Sequence, residues 1–189
     1  MRHEFVLAIT GASGVIYSKK LFDLLKEREA RIHLIISEEG KKILKSELGL
    51  SCSYFKREGV TIYDNSQLNN QIASGSFRHN GMVIIPASMS CIGRIASGVS
   101  KDLITRTADV ALKEGFDLIC VPRETPYNAI HLKNMLTLLN AGAVILPASP
   151  GFYHKPKSLD DISAFIVDRI LSHLKIKKGI LPVWEPNDC

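Results

Sequence analysis

The sequence predicts a three-layer α/β fold with a central, mostly parallel sheet, and three observations predict it. Apolar runs of five to seven residues recur at 5–9, 31–37, 81–86, 117–122 and 143–147, the pattern of strands buried on both faces. Stretches with apolar residues at helical spacing lie between most of them. Several runs end in turns of small or hydroxyl-bearing residues, which is where open parallel sheets hold ligands.

The first unit sets the pattern. The run 5–9 enters the small-residue turn Thr10-Gly11-Ala12-Ser13-Gly14. A helix follows over 15–28, with Val15, Leu21, Phe22, Leu24 and Leu25 apolar and Lys19, Lys20, Asp23, Lys26 and Glu27 on the other side. Gly11 and Gly14 let a ligand approach the backbone, Ser13 adds a hydroxyl, and the helix's positive end faces the same point. Two readings stand: an anion site for a nucleotide phosphate, or a turn that is small because it is tight.

The second strand, 31–37, ends in Ser37, a hydroxyl at the carboxyl edge and an N-cap for a helix over 38–48 that opens on Glu38 and Glu39. Periodicity weakens over 49–80, with one short strand at 60–63. The strand 81–86 runs into Ala87-Ser88-Met89-Ser90-Cys91, a second small, hydroxyl-rich loop before a helix over 92–98. A helix over 101–115 groups Leu103, Ile104, Ala108, Ala111 and Leu112 on one face, with Lys113 and Glu114 at its end.

Strand 117–122 delivers Arg123-Glu124-Thr125-Pro126. The pair reads as a surface ion pair, or as an anion-binding arginine beside a carboxylate for proton transfer. The stretch 128–140 reads as a helix, with Ile130, Met135, Leu136 and Leu139 apolar. After the last core strand, 143–147, a proline-bounded loop over 148–156 presents Tyr153. Ser158 caps the closing helix, whose stripe is Ile162, Phe165, Ile166, Ile170, Leu171 and Leu174, with Arg169 near its end. The tail over about 175–189, apolar from Ile180 to Trp184, is expected to pack on the body or on a neighbouring subunit.

Composition narrows the function. The 189 residues, 46% hydrophobic and 23% charged, suit one domain spanning 1–189. No apolar run approaches the roughly 20 residues of a membrane helix, and the N-terminal run is too short for a signal-peptide core, so a cytoplasmic protein is expected. Four scattered cysteines without a Cys-x-x-Cys pair indicate neither a disulfide framework nor zinc. Cys120 reads as a small buried hydrophobe. The histidines lack metal spacing, and no nucleophile elbow is present. The net charge of +5 is spread, and its densest clusters, at 41–42 and 175–178, lack interleaved aromatics. They read as solvated helix faces rather than a nucleic-acid site.

The segments Ile9-Thr-Gly-Ala-Ser-Gly14, Ser74-Gly-Ser-Phe77, Asp109-Val-Ala-Leu-Lys-Glu114, Val121-Pro-Arg-Glu-Thr-Pro126, His131-Leu-Lys-Asn-Met135 and Gly142-Ala-Val-Ile-Leu-Pro-Ala-Ser-Pro-Gly-Phe-Tyr153 together resemble the UbiX-type flavin prenyltransferases, over about 5–184. The resemblance implies a flavodoxin-like fold. It implies a reaction in which reduced FMN is joined at N5 and C6 to the dimethylallyl group of dimethylallyl monophosphate. Phosphate is released, and the product, prenylated FMN, serves a UbiD-type decarboxylase. No metal is implied, and the assembly is a homo-oligomer, a dodecamer, with its site at a subunit interface.

By the same resemblance, Gly11, Ala12, Ser13, Ser37, Ser88, Ser90 and Arg123 fall where FMN is held, and Met89 and Cys91 complete the second FMN turn. Lys113, Arg123, Tyr153 and Arg169 match the grip on the prenyl phosphate, while Glu47, Ser13 and Glu124 match positions implicated in proton handling. A monophosphate leaving group suits such a set of cations with a phenol donor. Because Lys113 and Arg169 lie far in sequence from the sheet-edge loops, a site uniting them is expected to use more than one subunit. Two positions depart from the family: Cys91 stands where threonine is usual, which puts FMN affinity in question, and Lys101-Asp102 replaces an Asn-Asn type of pair. Two alternatives remain: a flavin-dependent peptidyl-cysteine decarboxylase, which Pro86-Ala-Ser-Met-Ser also resembles, and an FMN carrier without chemistry.

Overall fold

The computed structural model describes residues 3–176 and 180. The strands are β1 (Glu4–Ile9), β2 (Arg31–Ile36), β3 (Val60–Asp64), β4 (Met82–Ala87), β5 (Leu118–Pro122) and β6 (Val144–Ile145). They form one sheet in the order β3-β2-β1-β4-β5-β6, and every pairing is parallel. The helices are α1 (Val15–Glu27), α2 (Glu38–Leu48), α3 (Met89–Ala96), α4 (Leu103–Glu114), α5 (Ala129–Asn140) and α6 (Leu159–His173). This is the three-layer, flavodoxin-like α/β arrangement.

Alternation along each strand divides the core. Phe5, Leu7 and Ile9 of β1 face a cluster closed by Phe22 of α1, Leu44 of α2 and Val167 and Ile170 of α6. Val6 and Ala8 face the other cluster, closed by Ile92 of α3, Ala108 of α4 and Leu138 of α5. Both sides of β1 are therefore dry, and its sequence reads as a continuous apolar run rather than an alternating one.

Three elements differ from the sequence expectation. α3 starts at Met89, not 92, because the Ser88 side chain accepts from the Cys91 amide and caps the helix there. Met89, Ser90 and Cys91 are thus its first turn, not a loop. β6 is two residues long. Its line continues through the Leu146 amide on Cys120 O (2.9 Å) and the Ala148 amide on Pro122 O (2.9 Å), while Pro147 between them has no N–H to give. α5 buries Met135 and Leu138 but leaves Ile130, Leu132, Leu136 and Leu139 exposed. Its inward face is set by packing on α3, where Gly93 leaves room for the Asn134 amide. Of the tail, Lys175, Ile176 and Ile180 lie within the described residues; the Ile180 amide donates to Asp168 Oδ1 at 2.6 Å.

Candidate active site

β1 pairs with β2 on one side and β4 on the other, so the chain reverses its winding at β1, and the carboxyl ends of β1 and β4 open a crevice between their loops. Polar contacts tie these ends together. Thr10 Oγ1 donates to Pro86 O at 2.6 Å and accepts from the Ser88 amide at 2.8 Å. The Ser37 amide donates to Ile9 O at 3.0 Å, and Ser18 Oγ donates to Ile85 O at 2.6 Å. The turns after β1, β2 and β4 are thereby held in one register.

In the first turn, a Cβ on Gly11 would overlap Glu39 Cβ, so only glycine fits against the start of α2. Gly14 takes φ +99°, where a side chain would be strained. The N–H groups of Gly11, Ala12 and Ser13 have no hydrogen bond among the described residues. Those of Gly14 and Val15, at the start of α1, do. Gly14 N donates to both Glu47 carboxylate oxygens, at 3.0 and 3.2 Å, and Val15 N to Oε2 at 3.1 Å. The positive end of α1 faces an internal carboxylate from α2, so an incoming anion meets the turn's earlier amides instead.

Ser37 and Ser88 are N-caps: Ser37 Oγ accepts from Gly40 N at 3.0 Å and Ser88 Oγ from Cys91 N at 3.3 Å. Ser90 is exposed and Met89 half-buried. The Cys91 side chain is 1% exposed and points into the core. Burial pushes its thiol up to about 12, keeping it protonated. Cys91 therefore offers a ligand only its backbone, and the change from a hydroxyl to a thiol is felt in packing.

Arg123 crosses the crevice from β5: its Nε donates to Ser13 O at 3.2 Å, leaving its terminal nitrogens without a partner among the described residues. Glu124 follows, half-buried, with Oε1 accepting from Thr125 N at 3.1 Å. Two tyrosines that the sequence did not single out stand beside these groups. Tyr17 packs its ring against Gly14. Tyr127 is raised above the usual phenol range, first by burial and then by the Glu124 carboxylate. The signal for Tyr17 was an aromatic one turn past a glycine turn; Tyr127 follows Pro126 directly.

No hydrogen bond, ion pair or ring contact joins the remaining expected residues to Arg123 among the described residues. Tyr153, 57% exposed, leans edge-on against Phe165 of α6 with ring centroids 5.8 Å apart. Arg169 lies one helical turn beyond Phe165 and is exposed, so Tyr153 and Arg169 share a stretch of α6. The far end of α6 approaches the amino edge, where Leu174 meets Gly81 ahead of β4. Lys113 sits at the end of α4, which starts at the carboxyl edge, where Ile104 N donates to Asn65 Oδ1. Lys113 is about 15 Å down that helix. The expected phosphate ligands thus fall into three groups: Arg123 with Ser13, Tyr153 with Arg169, and Lys113 alone.

The Flavoprotein family model matches residues 1–171, so the chain is a member of the flavoprotein family. Among curated proteins, the flavin prenyltransferase UbiX of Methanocaldococcus jannaschii is 45% identical over 181 residues, covering 96% of this chain and 98% of its own. A crystal structure of AnUbiX (PadA1) in complex with FMN and dimethylallyl pyrophosphate superposes with a TM-score of 0.94 at 37% identity, covering 98% of each chain. A dodecameric FMN-dependent UbiX-like decarboxylase from Escherichia coli O157:H7 superposes with a TM-score of 0.92 at 34% identity, over 96% of this chain and 99% of the other. The chain belongs to the UbiX-type flavin prenyltransferases.

No described helix is long and apolar enough to cross a membrane, and no group of His, Cys, Asp or Glu among the described residues could hold a metal ion.

Proposed function

We propose that this chain, read as one flavoprotein domain, transfers the dimethylallyl group of dimethylallyl monophosphate to reduced FMN, releasing phosphate and prenylated FMN for a UbiD-type decarboxylase in the cytoplasm. The observation that carries the reading is Arg123. It reaches from β5 to Ser13 of the β1 turn with its terminal nitrogens unpartnered among the described residues, and Glu124 follows it directly in sequence.

The residues fit an anionic flavin. Three backbone amides of the Gly11–Ser13 turn have no acceptor among the described residues, and the glycine there cannot be enlarged. Ser37, Ser88, Met89, Ser90 and the Cys91 backbone line the neighbouring turns. When bound, reduced FMN supplies the electron-rich ring that captures the prenyl carbon. Every other contribution is the chain's own. The C–O bond of the prenyl phosphate breaks with its electron pair leaving on oxygen. Arg123, Lys113 and Arg169 offset that charge and the Tyr153 phenol donates to it. In this reading Glu124 takes the proton lost on ring closure, and Ser13 and Glu47 share in the proton handling.

Because Lys113, Tyr153 and Arg169 stand apart from Arg123 in one chain, the reading requires a homo-oligomer, a dodecamer as in the Escherichia coli relative, with neighbouring copies completing each site. The test is anaerobic: purified protein, reduced FMN and dimethylallyl monophosphate are mixed, and the released flavin is weighed. A gain of one isoprenyl unit is expected. Tightly bound but unmodified FMN would overturn the reading in favour of a flavin carrier, or of a cysteine decarboxylase tested next with a cysteine-ending peptide.

A further inference from the structure

The segment Ser74-Gly75-Ser76-Phe77 has no part in the crevice, yet it closes on the end of α4. Ser74 Oγ and Ser76 Oγ are 2.8 Å apart and the Phe77 amide donates to Ser74 O at 3.0 Å, which makes a tight turn. At its tip Gly75 lies directly on Glu114. A Cβ there would overlap Glu114 Oε1 and come within 2.8 Å of its Cδ. Glu114 in turn holds Lys113, with Nζ 2.8 Å from Oε1.

Adjacent residues on a helix do not face each other, so the pair forms because the Lys113 side chain bends to meet the Glu114 carboxylate, which lies over Gly75. The carboxylate is confined from behind by backbone that has no side chain to move aside. Lys113 keeps Glu114 below the usual carboxylate range, by its hydrogen bond first and its charge second, and Arg78 adds a smaller pull. Arg78 is itself fixed over the Phe116 ring, 5.5 Å from its centroid. Glu114 is thus one anion set among a glycine turn and two cations.

We propose that Glu114 is a positioning residue for Lys113, and that Gly75 is glycine because Glu114 occupies the space its side chain would take. A free lysine has four rotatable bonds to order before it can grip a phosphate. One already tethered at 2.8 Å presents its remaining ammonium hydrogens in a restricted arc. The inference rests on the reading of Lys113 as a prenyl-phosphate ligand and gives the Ser74–Phe77 motif a task within it.

The experiment compares Lys113→Ala, Glu114→Ala, Gly75→Ala and the double variant Lys113→Ala/Glu114→Ala as assembled protein, each first checked for its wild-type oligomer and melting temperature. For each, FMN affinity is measured by flavin fluorescence, and kcat and KM for dimethylallyl monophosphate are measured under anaerobic conditions. Lys113→Ala is expected to raise KM by about tenfold or more, the effect of losing one charged hydrogen bond. Glu114→Ala and Gly75→Ala are expected to raise KM about two- to fivefold, the size of a partly exposed ion pair, with kcat and FMN affinity unchanged. The double variant is expected to match Lys113→Ala alone.

Unchanged KM in Lys113→Ala would overturn the parent reading. A raised KM there with unchanged or lowered KM in Glu114→Ala would overturn the positioning role alone, a lowered value marking Glu114 as a competitor for Lys113. Additive effects in the double variant would also overturn it, since Glu114 would then act independently of Lys113.

Discussion

Glu47 offers the sharpest test of how the first turn is held. The N-cap of α1 is Gly14, which has no side chain to cap the helix. The Glu47 carboxylate, 33 residues away, accepts from Gly14 N and 32 residues away from Val15 N, at 3.0 to 3.2 Å. It does from α2 what an N-cap serine does locally, with a full negative charge at the positive end of the helix. Glu47→Ala removes the acceptor and leaves two amides to water. Losing a cap costs typically ~1 kcal/mol, which for a chain of this size lowers the melting temperature by roughly 2–4 °C. Glu47→Gln keeps an oxygen acceptor without the charge and is expected to fall between. The assay is thermal melting by circular dichroism on flavin-free protein, with amide exchange at Gly14 and Val15 as the local readout. Both amides are expected to exchange faster in Glu47→Ala. Wild-type melting together with unchanged exchange at both positions would refute the capping role.

Glu124→Gln keeps shape and loses the base, so it is expected to bind FMN as the wild type does and to stall prenyl-flavin formation; normal turnover by mass spectrometry would remove Glu124 from the chemistry. Gly11→Ala drives a methyl into Glu39 Cβ, and overpacking of this kind costs typically about 1–3 kcal/mol, read as a lower urea midpoint together with weaker FMN binding. His79 is held below the ordinary imidazole range chiefly by burial, with a buried Nδ1 that has no partner among the described residues. Its unfolded form therefore takes up a proton where the folded form does not, and stability falls as pH drops below 6.5. His79→Phe is expected to flatten that part of the stability–pH curve, measured by urea unfolding between neutral and mildly acidic pH.

The parallel sheet was legible because β1, β2, β4 and β5 are buried on both faces, and such strands cannot be written without continuous apolar runs. The N-caps Ser37 and Ser158 were legible for a local reason, a hydroxyl directly ahead of an acidic first turn. What escaped was set by tertiary choice. Either Ser88 or a residue further on could have begun α3, and only the hydrogen bond from Cys91 N decides it. α5 carries apolar residues on more than one side, so its periodicity alone could not tell the buried Met135 and Leu138 from the exposed Leu136 and Leu139. In the site, the small turns announced themselves, whereas the Glu47 cap joins positions more than thirty residues apart. Thr10, which binds Pro86 and Ser88, likewise acts across the sheet.

The separation of Arg123 from Arg169 makes the assembly itself testable. If each site takes Arg123 from one copy and Arg169 from a neighbour, then Arg123→Ala and Arg169→Ala each disable every site in a uniform assembly. Mixed assemblies behave differently. In a random equal mixture, the copy lending Arg123 is intact there half the time, and so independently is the copy lending Arg169. About a quarter of the sites then recover both arginines. Co-expressing the two variants, or unfolding and refolding them together, is expected to restore prenyl transfer to about a quarter of the wild-type rate. Simply pooling the two finished assemblies is expected to restore none, because exchange must precede recovery. Were both arginines to serve the same site from one chain, no mixture would contain an intact site, and the co-expressed pair would stay as inactive as its parents. Lys113 is present in both variants, so its own division among copies does not alter the arithmetic.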